Sequence, residues 1–343
     1  MPVIEYKCPN CGSGMTFDSE TGMLSCPGCG RKDDIGQLPD PLKKQVFADG
    51  EVNEYHCASC GAVIVTEPET SATSCSFCGS AVALSDRLTG KLAPALVIPF
   101  SIGKEEAMQA FKKWCRRGLL TPRGFMKADR IKGITGIYVP FWLYDLHNYI
   151  EVYGRGTKVR TYREGEYEVT ETHHFDVYRQ IQLDYEKLPI DASEKMNDEL
   201  MDKLEPFPYD QAKEFKTPYL AGYRAEKYTC DDEELVPRAK EKARPYIDSY
   251  IASTVSEYTT VNYTDTVIDT TVHRADYALL PVWMVSYDYN RMEYTFAMNG
   301  QTGKVVGKPP ISKPKVTAWF AGIAGLSFLL MKSIAWMMGG GFW

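Results

Sequence analysis

The sequence predicts small β ribbons in tandem, followed by an α+β body with two β-rich halves and a C-terminal transmembrane helix. Three observations lead to this prediction. Eight of the ten cysteines form two sets before residue 80, residues from 131 onward are rich in Ile, Val, Tyr and Phe, and residues 316–338 contain a single charged side chain. With 343 residues, 44% of them hydrophobic, the chain is long enough for two or three domains with a buried core.

The cysteines form two quartets with the same spacing. Each quartet follows C-x2-C, fourteen residues and C-x2-C, and the second lies 49 residues after the first. The first contains Cys8, Cys11, Cys26 and Cys29, and the second contains Cys57, Cys60, Cys75 and Cys78. Four soft thiolates suit tetrahedral Zn²⁺, and the glycine after each pair suits a turn with positive φ. We therefore expect two structural zinc ions, with disulfides or an iron–sulfur cluster as the alternatives.

The N-terminal quarter divides into a first zinc ribbon (1–36), a polar linker (37–52) and a second zinc ribbon (53–90). Residues 1–90 contain six Lys and Arg against twelve Asp and Glu, and so carry the whole net charge of -6. A zinc ion with four thiolates adds further negative charge, which repels phosphate. This balance favours protein binding or packing within the chain over nucleic-acid binding.

The α+β body is expected over 91–310, as two related halves, 91–190 and 205–310. The stretches PFWLYDL and PVWMVSY both place Pro-x-Trp at the start of an expected strand. Apolar spacing and capping residues predict three helices: 104–118, 191–204 with Asp191 as its cap, and 231–256. Hairpin turns are expected at Gly165 and at Asn299–Gly300.

The chain carries no recognisable catalytic motif. Its five histidines lack metal-ligand spacing, and there is no nucleophile elbow or phosphate-binding loop. We therefore expect a protein that is not an enzyme and that has no identified small-molecule substrate. The remaining enzymatic hypothesis is an unrecognised activity in the β-rich body.

Residues 112–132 form a basic patch with eight Lys and Arg against one Asp. Its members are Lys112, Lys113, Arg116, Arg117, Arg123, Lys127, Arg130 and Lys132. The patch is either a solvated surface or a contact with anionic lipid headgroups, the acidic ribbons or an acidic partner. Nucleic acid is a less favoured partner because the whole chain is acidic.

Residues 316–338 are predicted to be a transmembrane helix, since 23 residues at about 1.5 Å each span a ~30 Å hydrocarbon core. Trp319 and Trp336 lie near the ends, and Lys308, Lys313 and Lys315 precede the segment. The positive-inside rule then predicts a single-pass cell-membrane protein whose bulk is cytoplasmic, inserted after synthesis as in a tail-anchored protein. A buried core helix and an in-plane amphipathic helix are the alternatives.

The sequence resembles TFIIB-type zinc-ribbon-containing, C-terminally membrane-anchored bacterial proteins, some of which are labelled PriA-like helicases. The matching stretches are CPNCGSG, CASCGA, KWCRRGLLTPRGF, IKGITGIYVPFWLYD, DASEKMNDELMDKLEPF, NGQTGKVVG and the apolar C-terminal segment. The resemblance implies a membrane-tethered protein with SPFH-domain or phage-shock-type membrane-stress partners.

These observations predict a non-enzymatic, membrane-tethered scaffold or adaptor. Its two structural zinc ribbons would form a cytosolic protein-interaction module, with the lipid bilayer and other proteins as partners. The alternative is a zinc-ribbon protein that binds nucleic acid or acts in transcription or replication.

Overall fold

A computed structural model describes most of the chain. The described residues are 3–38, 54–61, 63–66, 70–75, 78, 80–84, 88, 93–116, 118, 120–122, 125, 131–289 and 292–337. Most of the predicted linker, from residue 39 to 52, lies outside them.

The N-terminal quarter contains eight short strands. They are β1 (Val3–Ile4), β2 (Thr16–Asp18), β3 (Met23–Ser25), β4 (Lys32–Asp33), β5 (Glu54–His56), β6 (Val63–Val65), β7 (Thr70–Ser74) and β8 (Ala81–Leu84). Strands β2, β3 and β4 form an antiparallel sheet, and β5 and β6 form a hairpin. The β2–β3 hairpin lies between the two cysteine pairs of the first quartet, whereas the β5–β6 hairpin encloses Cys57 and Cys60, the first pair of the second quartet.

The described part of the body contains eight further strands and three α-helices. They are β9 (Leu96–Val97), α1 (Lys104–Arg116), β10 (Ile131–Glu164), β11 (Tyr167–Asp191), α2 (Asp198–Leu204), β12 (Lys213–Glu214), β13 (Arg224–Glu226), α3 (Asp232–Thr254), β14 (Thr260–Tyr289), β15 (Met292–Asn299) and β16 (Val305–Gly307). A last helix, α4 (Lys313–Met337), follows the body.

One eleven-stranded sheet joins the N-terminal quarter to the body. Its main order is β1-β8-β7-β13-β10-β14-β15-β16, with β11 beside β10 and with β9 between β12 and β14. The link is made by β13, where Ala225 is opposite Ala72 of β7 on one side and Tyr138 of β10 on the other. The zinc-ribbon segments therefore contribute strands to the body's own sheet.

Both faces of this sheet are covered near its centre. On one face, Phe111 of α1 and Ile247 of α3 share a core with Phe17 from the N-terminal quarter. On the other face, Met201 and Leu204 of α2 pack against alternate residues of β10. The period-2 alternation of the strand side chains produces this two-sided packing.

Three long strands continue beyond the core as an antiparallel arm, comprising residues 145–164, 167–187 and 260–274. In the arm, β10 lies between β11 and β14, and the β10–β11 pairing runs out to Glu164 opposite Tyr167. The turn between them contains Gly165 with φ +65°, a conformation that glycine adopts without steric cost. Helix α3 covers one face of the arm through apolar side chains that include Ile247 and Ile251.

One helix boundary differs from the sequence-based expectation, and one strand pairing was not predicted. The helix expected from residue 191 begins at Asp198 after an Asn197 cap, because Asp191 ends β11 as a buried residue. The sequence did not predict that β10 and β14, one from each expected half, pair along 131–157 in one sheet. A relationship between the two halves stays a prediction.

Helix α4 is long, apolar and exposed. Residues Lys313–Ile334 are long and apolar enough to cross a membrane, and none of this stretch is buried. Large side chains on all sides of the helix are open, such as Phe320 at 76% and Met331 at 64% exposed. In this structure, α4 is therefore not a buried core helix.

Candidate metal centres and their surroundings

The first cysteine quartet converges on one point. The Sγ atoms of Cys8, Cys11, Cys26 and Cys29 all lie within 4.8 Å of one another. The sulfur atoms of Cys8 and Cys29 are 3.5 Å apart, as are those of Cys11 and Cys26. Thiolates bound at about 2.3 Å in a tetrahedron are themselves about 3.8 Å apart, so these four sulfurs fit a zinc ion.

The second quartet repeats this geometry. The Sγ atoms of Cys57 and Cys78 are 3.6 Å apart, and those of Cys60 and Cys75 are 3.8 Å apart. In both quartets the first and third cysteines are buried and the second and fourth are exposed. All four coordination positions of each site belong to the protein, so each zinc ion has a structural role.

Local backbone conformation explains why these residues converge. Gly12, Gly30 and Gly61 follow the second cysteine of their pairs and adopt φ values of +73°, +76° and +74°. A backbone N–H from each glycine donates to the carbonyl of the first cysteine of the pair, closing the turn. The fourth equivalent glycine, Gly79, lies outside the described residues.

Neighbouring serines favour the thiolate form that zinc requires. The Ser13 hydroxyl and backbone N–H lower the pKa of Cys11 to about 6. Ser80 lowers the pKa of Cys78 to about 6 in the same way, with its hydroxyl 3.3 Å from the sulfur. Because zinc binds the deprotonated thiol, these two contacts favour metal binding. Burial and the Glu5 carboxylate act in the opposite direction on Cys57, whose pKa they raise to about 12.

The first zinc site is built against the body of the protein. Cys8 and Cys26 share an apolar cluster with Ala221, which follows β12 in the body. Beside them, the Phe17 backbone N–H donates to the Ala221 carbonyl at 2.8 Å, and the Phe17 ring meets the Tyr219 ring edge-on at 5.5 Å. The structure therefore joins this site to the body through both polar and apolar contacts.

The second site is tied to the first ribbon by Glu5. The Glu5 Oε1 atom accepts a hydrogen bond from the Ser59 backbone N–H at 3.1 Å and lies 3.2 Å from the Cys57 sulfur. Only 6% of the Glu5 side chain is exposed. Strand β1, directly before it, pairs with β8 of the second ribbon. The two zinc sites thus belong to one connected unit, which their separate cysteine motifs did not reveal.

The structure places part of the predicted basic patch on α1. Lys113 and Arg116 are exposed and Lys112 is half-buried, while Ala107, Phe111 and Cys115 form the buried stripe of the helix. The side chains of the other members lie outside the described residues, namely Arg117, Arg123, Lys127, Arg130 and Lys132. The patch as a whole stays a prediction.

A buried ionic cluster was missed from the sequence. Asp191 is 2% exposed and its Oδ2 atom accepts from Arg238 at 3.0 Å. Burial, reinforced by a hydrogen bond with Asp198, raises the pKa of Asp191 to about 6 despite the opposing Arg238. Lys242 pairs with Asp202 at 2.7 Å beside them. The cluster fastens α3 to α2 and β11, and its clearest sequence signal was the run of acidic residues at 198–205.

Among the described residues, the two cysteine quartets are the groups whose ligand atoms could hold a metal ion. His147 and His173 instead form pairs with Asp184 and Glu171. Cys115 and Cys230 belong to neither quartet, and burial raises the pKa of the Cys115 thiol to about 12.

Comparisons with known proteins agree with this geometry. A family model described as TFIIB zinc-binding matches residues 6–40, which include the whole first quartet. The protein YdjG of Bacillus subtilis (strain 168), itself uncharacterized, is 66% identical over 340 residues, covering 99% of this chain and 100% of YdjG. No solved structure matches the chain. The matching ribbon family and the two quartets together show two structural zinc ions.

Proposed function

The chain belongs to the family of the Bacillus subtilis protein YdjG, and we propose that it acts as a non-enzymatic scaffold tethered to a membrane. In this proposal α4 holds the chain in the bilayer and the body presents interaction surfaces on the cytoplasmic side. The zinc ribbons stabilise the N-terminal quarter as part of that scaffold, available to partners such as membrane-stress proteins of the SPFH or phage-shock type.

The exposed apolar helix α4 carries the proposal. Residues Lys313–Ile334 would be about 33 Å long at ~1.5 Å per residue, which matches a ~30 Å hydrocarbon core. Side chains such as Phe320, Ile323, Leu326 and Leu329 are 53–76% exposed on different sides of the helix. A patch this large and apolar needs lipid or protein around it, and apolar residues on all sides favour a spanning helix over an in-plane one.

The start of α4 supports a membrane-facing role for α1. Just before α4, the Ser312 backbone N–H donates to the Leu120 carbonyl at 2.8 Å, and the Lys315 ammonium donates to the Thr121 carbonyl at 2.6 Å. Leu120 and Thr121 follow the C-terminus of α1 by a few residues. We propose that Lys113 and Arg116 on that helix lie close enough to contact anionic headgroups.

Membrane extraction tests this function. The full chain and a chain ending at Pro314 are expressed in bacteria, and the membranes are washed with alkaline carbonate. We expect only the full chain to remain in the washed membranes. Full recovery of the full chain in the soluble fraction would contradict the proposal.

A second candidate function is nucleic-acid binding, which the TFIIB zinc-binding family match favours. Gel-shift titration with duplex DNA and single-stranded RNA at low salt distinguishes the two. A shift that weakens steeply with added salt would support nucleic-acid binding. The scaffold proposal predicts no shift, because the N-terminal quarter is acidic.

A further inference from the structure

The arm has a covered face and an uncovered one. Helix α3 lies over the even-numbered positions of β10, which are buried from Leu146 to Gly156. The opposite face, which we call the open face, comprises odd-numbered positions 147–157, even-numbered positions 174–184 and odd-numbered positions 265–271. Side chains at all of these positions are exposed or half-buried. The described part of the chain places no other element over them.

We propose that the open face binds a lysine- and arginine-rich polypeptide segment of a partner protein. This inference rests on the proposed scaffold function and names the chemistry of one partner. It is carried by a carboxylate cluster with tyrosine rings at the centre of the face and by the lack of cations that would neutralise it.

Glu151 is the centre of the cluster. Its carboxylate accepts hydrogen bonds from the hydroxyls of Tyr149 at 3.0 Å, Tyr153 at 3.3 Å and Tyr178 at 3.4 Å. The Gln180 amide donates to the Tyr149 oxygen at 2.6 Å, which fixes that ring in place. These donors are uncharged, so they orient the carboxylate without cancelling its charge.

The acidic character continues onto the neighbouring strand. In the pairing register, Asp265 is opposite Tyr153 and Asp269 is opposite Tyr149, on either side of Glu151. No described Lys, Arg or His forms an ion pair with Glu151, Asp265 or Asp269. Across the whole open face, five carboxylates stand against one arginine, the carboxylates being those of Glu151, Asp176, Asp184, Asp265 and Asp269.

The aromatic rings add a second feature that suits a basic segment. Tyr153 and Tyr178 are 40% and 46% exposed, and their ring centroids are 4.9 Å apart. Exposed rings beside a carboxylate attract Lys and Arg through cation–π contact as well as charge. A metal ion is a poorer fit, because no three carboxylate oxygens of this face converge within ligand distance among the described residues.

The size of the face sets the length of its occupant. Positions 147 to 157 of β10 extend about 33 Å at ~3.3 Å per residue, which an extended segment of about ten residues would cover. Three strands about 4.8 Å apart make the face roughly 10 Å wide, so it offers a few hundred Å². That is well below the ~1,200 Å² of a stable complex and corresponds to a transient interaction. Nucleic acid is excluded as the occupant by the sign of the charge.

Fluorescence anisotropy tests the proposal with the full chain in detergent. The probe is a fluorescein-labelled peptide of Lys-Arg-Ala repeats, about twelve residues long, at ~50 mM salt. The test variant combines Glu151→Gln, Asp265→Asn and Asp269→Asn. The matched control combines Glu164→Gln, Glu166→Gln and Glu168→Gln, which removes three exposed charges from the tip of the same arm.

We expect the test variant to weaken peptide binding about tenfold, since each exposed ion pair contributes only modestly. The control should bind as the unchanged chain does. Equal weakening in both variants, or no peptide binding by the unchanged chain, would overturn the proposal. Tyr153→Ala provides a second measurement that leaves the charge intact, and we expect it to weaken binding as well. Retention in carbonate-washed membranes is measured separately, so failure of the scaffold function remains distinguishable from failure of this site.

Discussion

Loss of the first zinc ion should loosen the body of the protein as well as the ribbon. Cys26→Ser removes one buried ligand of the first quartet. Structural zinc contributes on the order of 10 kcal/mol to the folding of small ribbons, whereas a whole domain is stable by about 5–15 kcal/mol. Without its metal, the first ribbon should therefore unfold.

The contacts of Phe17 determine how far this loosening extends. Phe17 is 5% exposed and packs on Tyr219, while its backbone N–H donates to the Ala221 carbonyl. Loss of a buried phenylalanine costs a core about 3–5 kcal/mol. The free energy of opening around residues 217–221 should fall by a similar amount, which corresponds to at least a hundredfold faster amide exchange.

Hydrogen exchange followed by mass spectrometry measures this effect in the full chain in detergent. Residues 213–226 report on the segment beneath the ribbon, and residues 198–204 of α2, which pack in the core on the other face of the sheet, serve as the internal reference. Cys115→Ser is the matched control, because Cys115 is buried but belongs to neither quartet. If the zinc content falls from two ions to one while exchange in 213–226 is unchanged, the ribbon is an independent unit and the reasoning is refuted.

Three further predictions concern single residues. Gly307→Ala should lower the free energy of unfolding by about 1–3 kcal/mol, because the φ of Gly307 is +152° and an added Cβ would lie 2.3 Å from the Phe296 ring. Gly322→Ala is the control, since Gly322 has open space around it, and it should leave urea unfolding unchanged. Burial raises the pKa of Asp191 to about 6, so the folded chain holds a proton that the unfolded chain has already released. The free energy of unfolding therefore falls as the pH rises from about 5 to 7, and Asp191→Asn should remove about 1 kcal/mol of that fall. Equal pH slopes for the two chains in urea titrations would contradict this. Glu5→Gln keeps an acceptor for the Ser59 N–H but removes the charge that, together with burial, raises the pKa of Cys57, so zinc binding at the second quartet should tighten in chelator competition while the first quartet is unaffected; weaker binding at the second quartet would contradict this.

The metal sites were predictable from sequence because their determinants are local. Two cysteines with two residues between them and a following glycine specify a turn without help from the rest of the fold. The same holds for α1, whose apolar residues recur every four positions, and for the hairpin turn at Gly165.

What the sequence did not reveal depends on distant pairing. The Ile, Val, Tyr and Phe content of β10 indicated a strand, but one of its two long partners, β14, lies more than 100 positions away. Only the three-dimensional register shows that the two halves share a sheet. Asp191 has the residue type of a helix cap, yet its side chain is buried against Arg238. The contact of Glu5 with Cys57 of the second quartet likewise joins positions 52 residues apart.

Accessibility of α4 in native membranes tests the central claim most directly. Single cysteines are introduced as Ile311→Cys, before the helix, and Ser327→Cys, near its middle, and labelling by a membrane-impermeant maleimide is located by mass spectrometry. Ile311 is 67% exposed and precedes the apolar stretch, so it should react at once. Ser327→Cys should react only after detergent is added. Equal labelling of both positions in intact membranes would show that α4 does not lie in the bilayer.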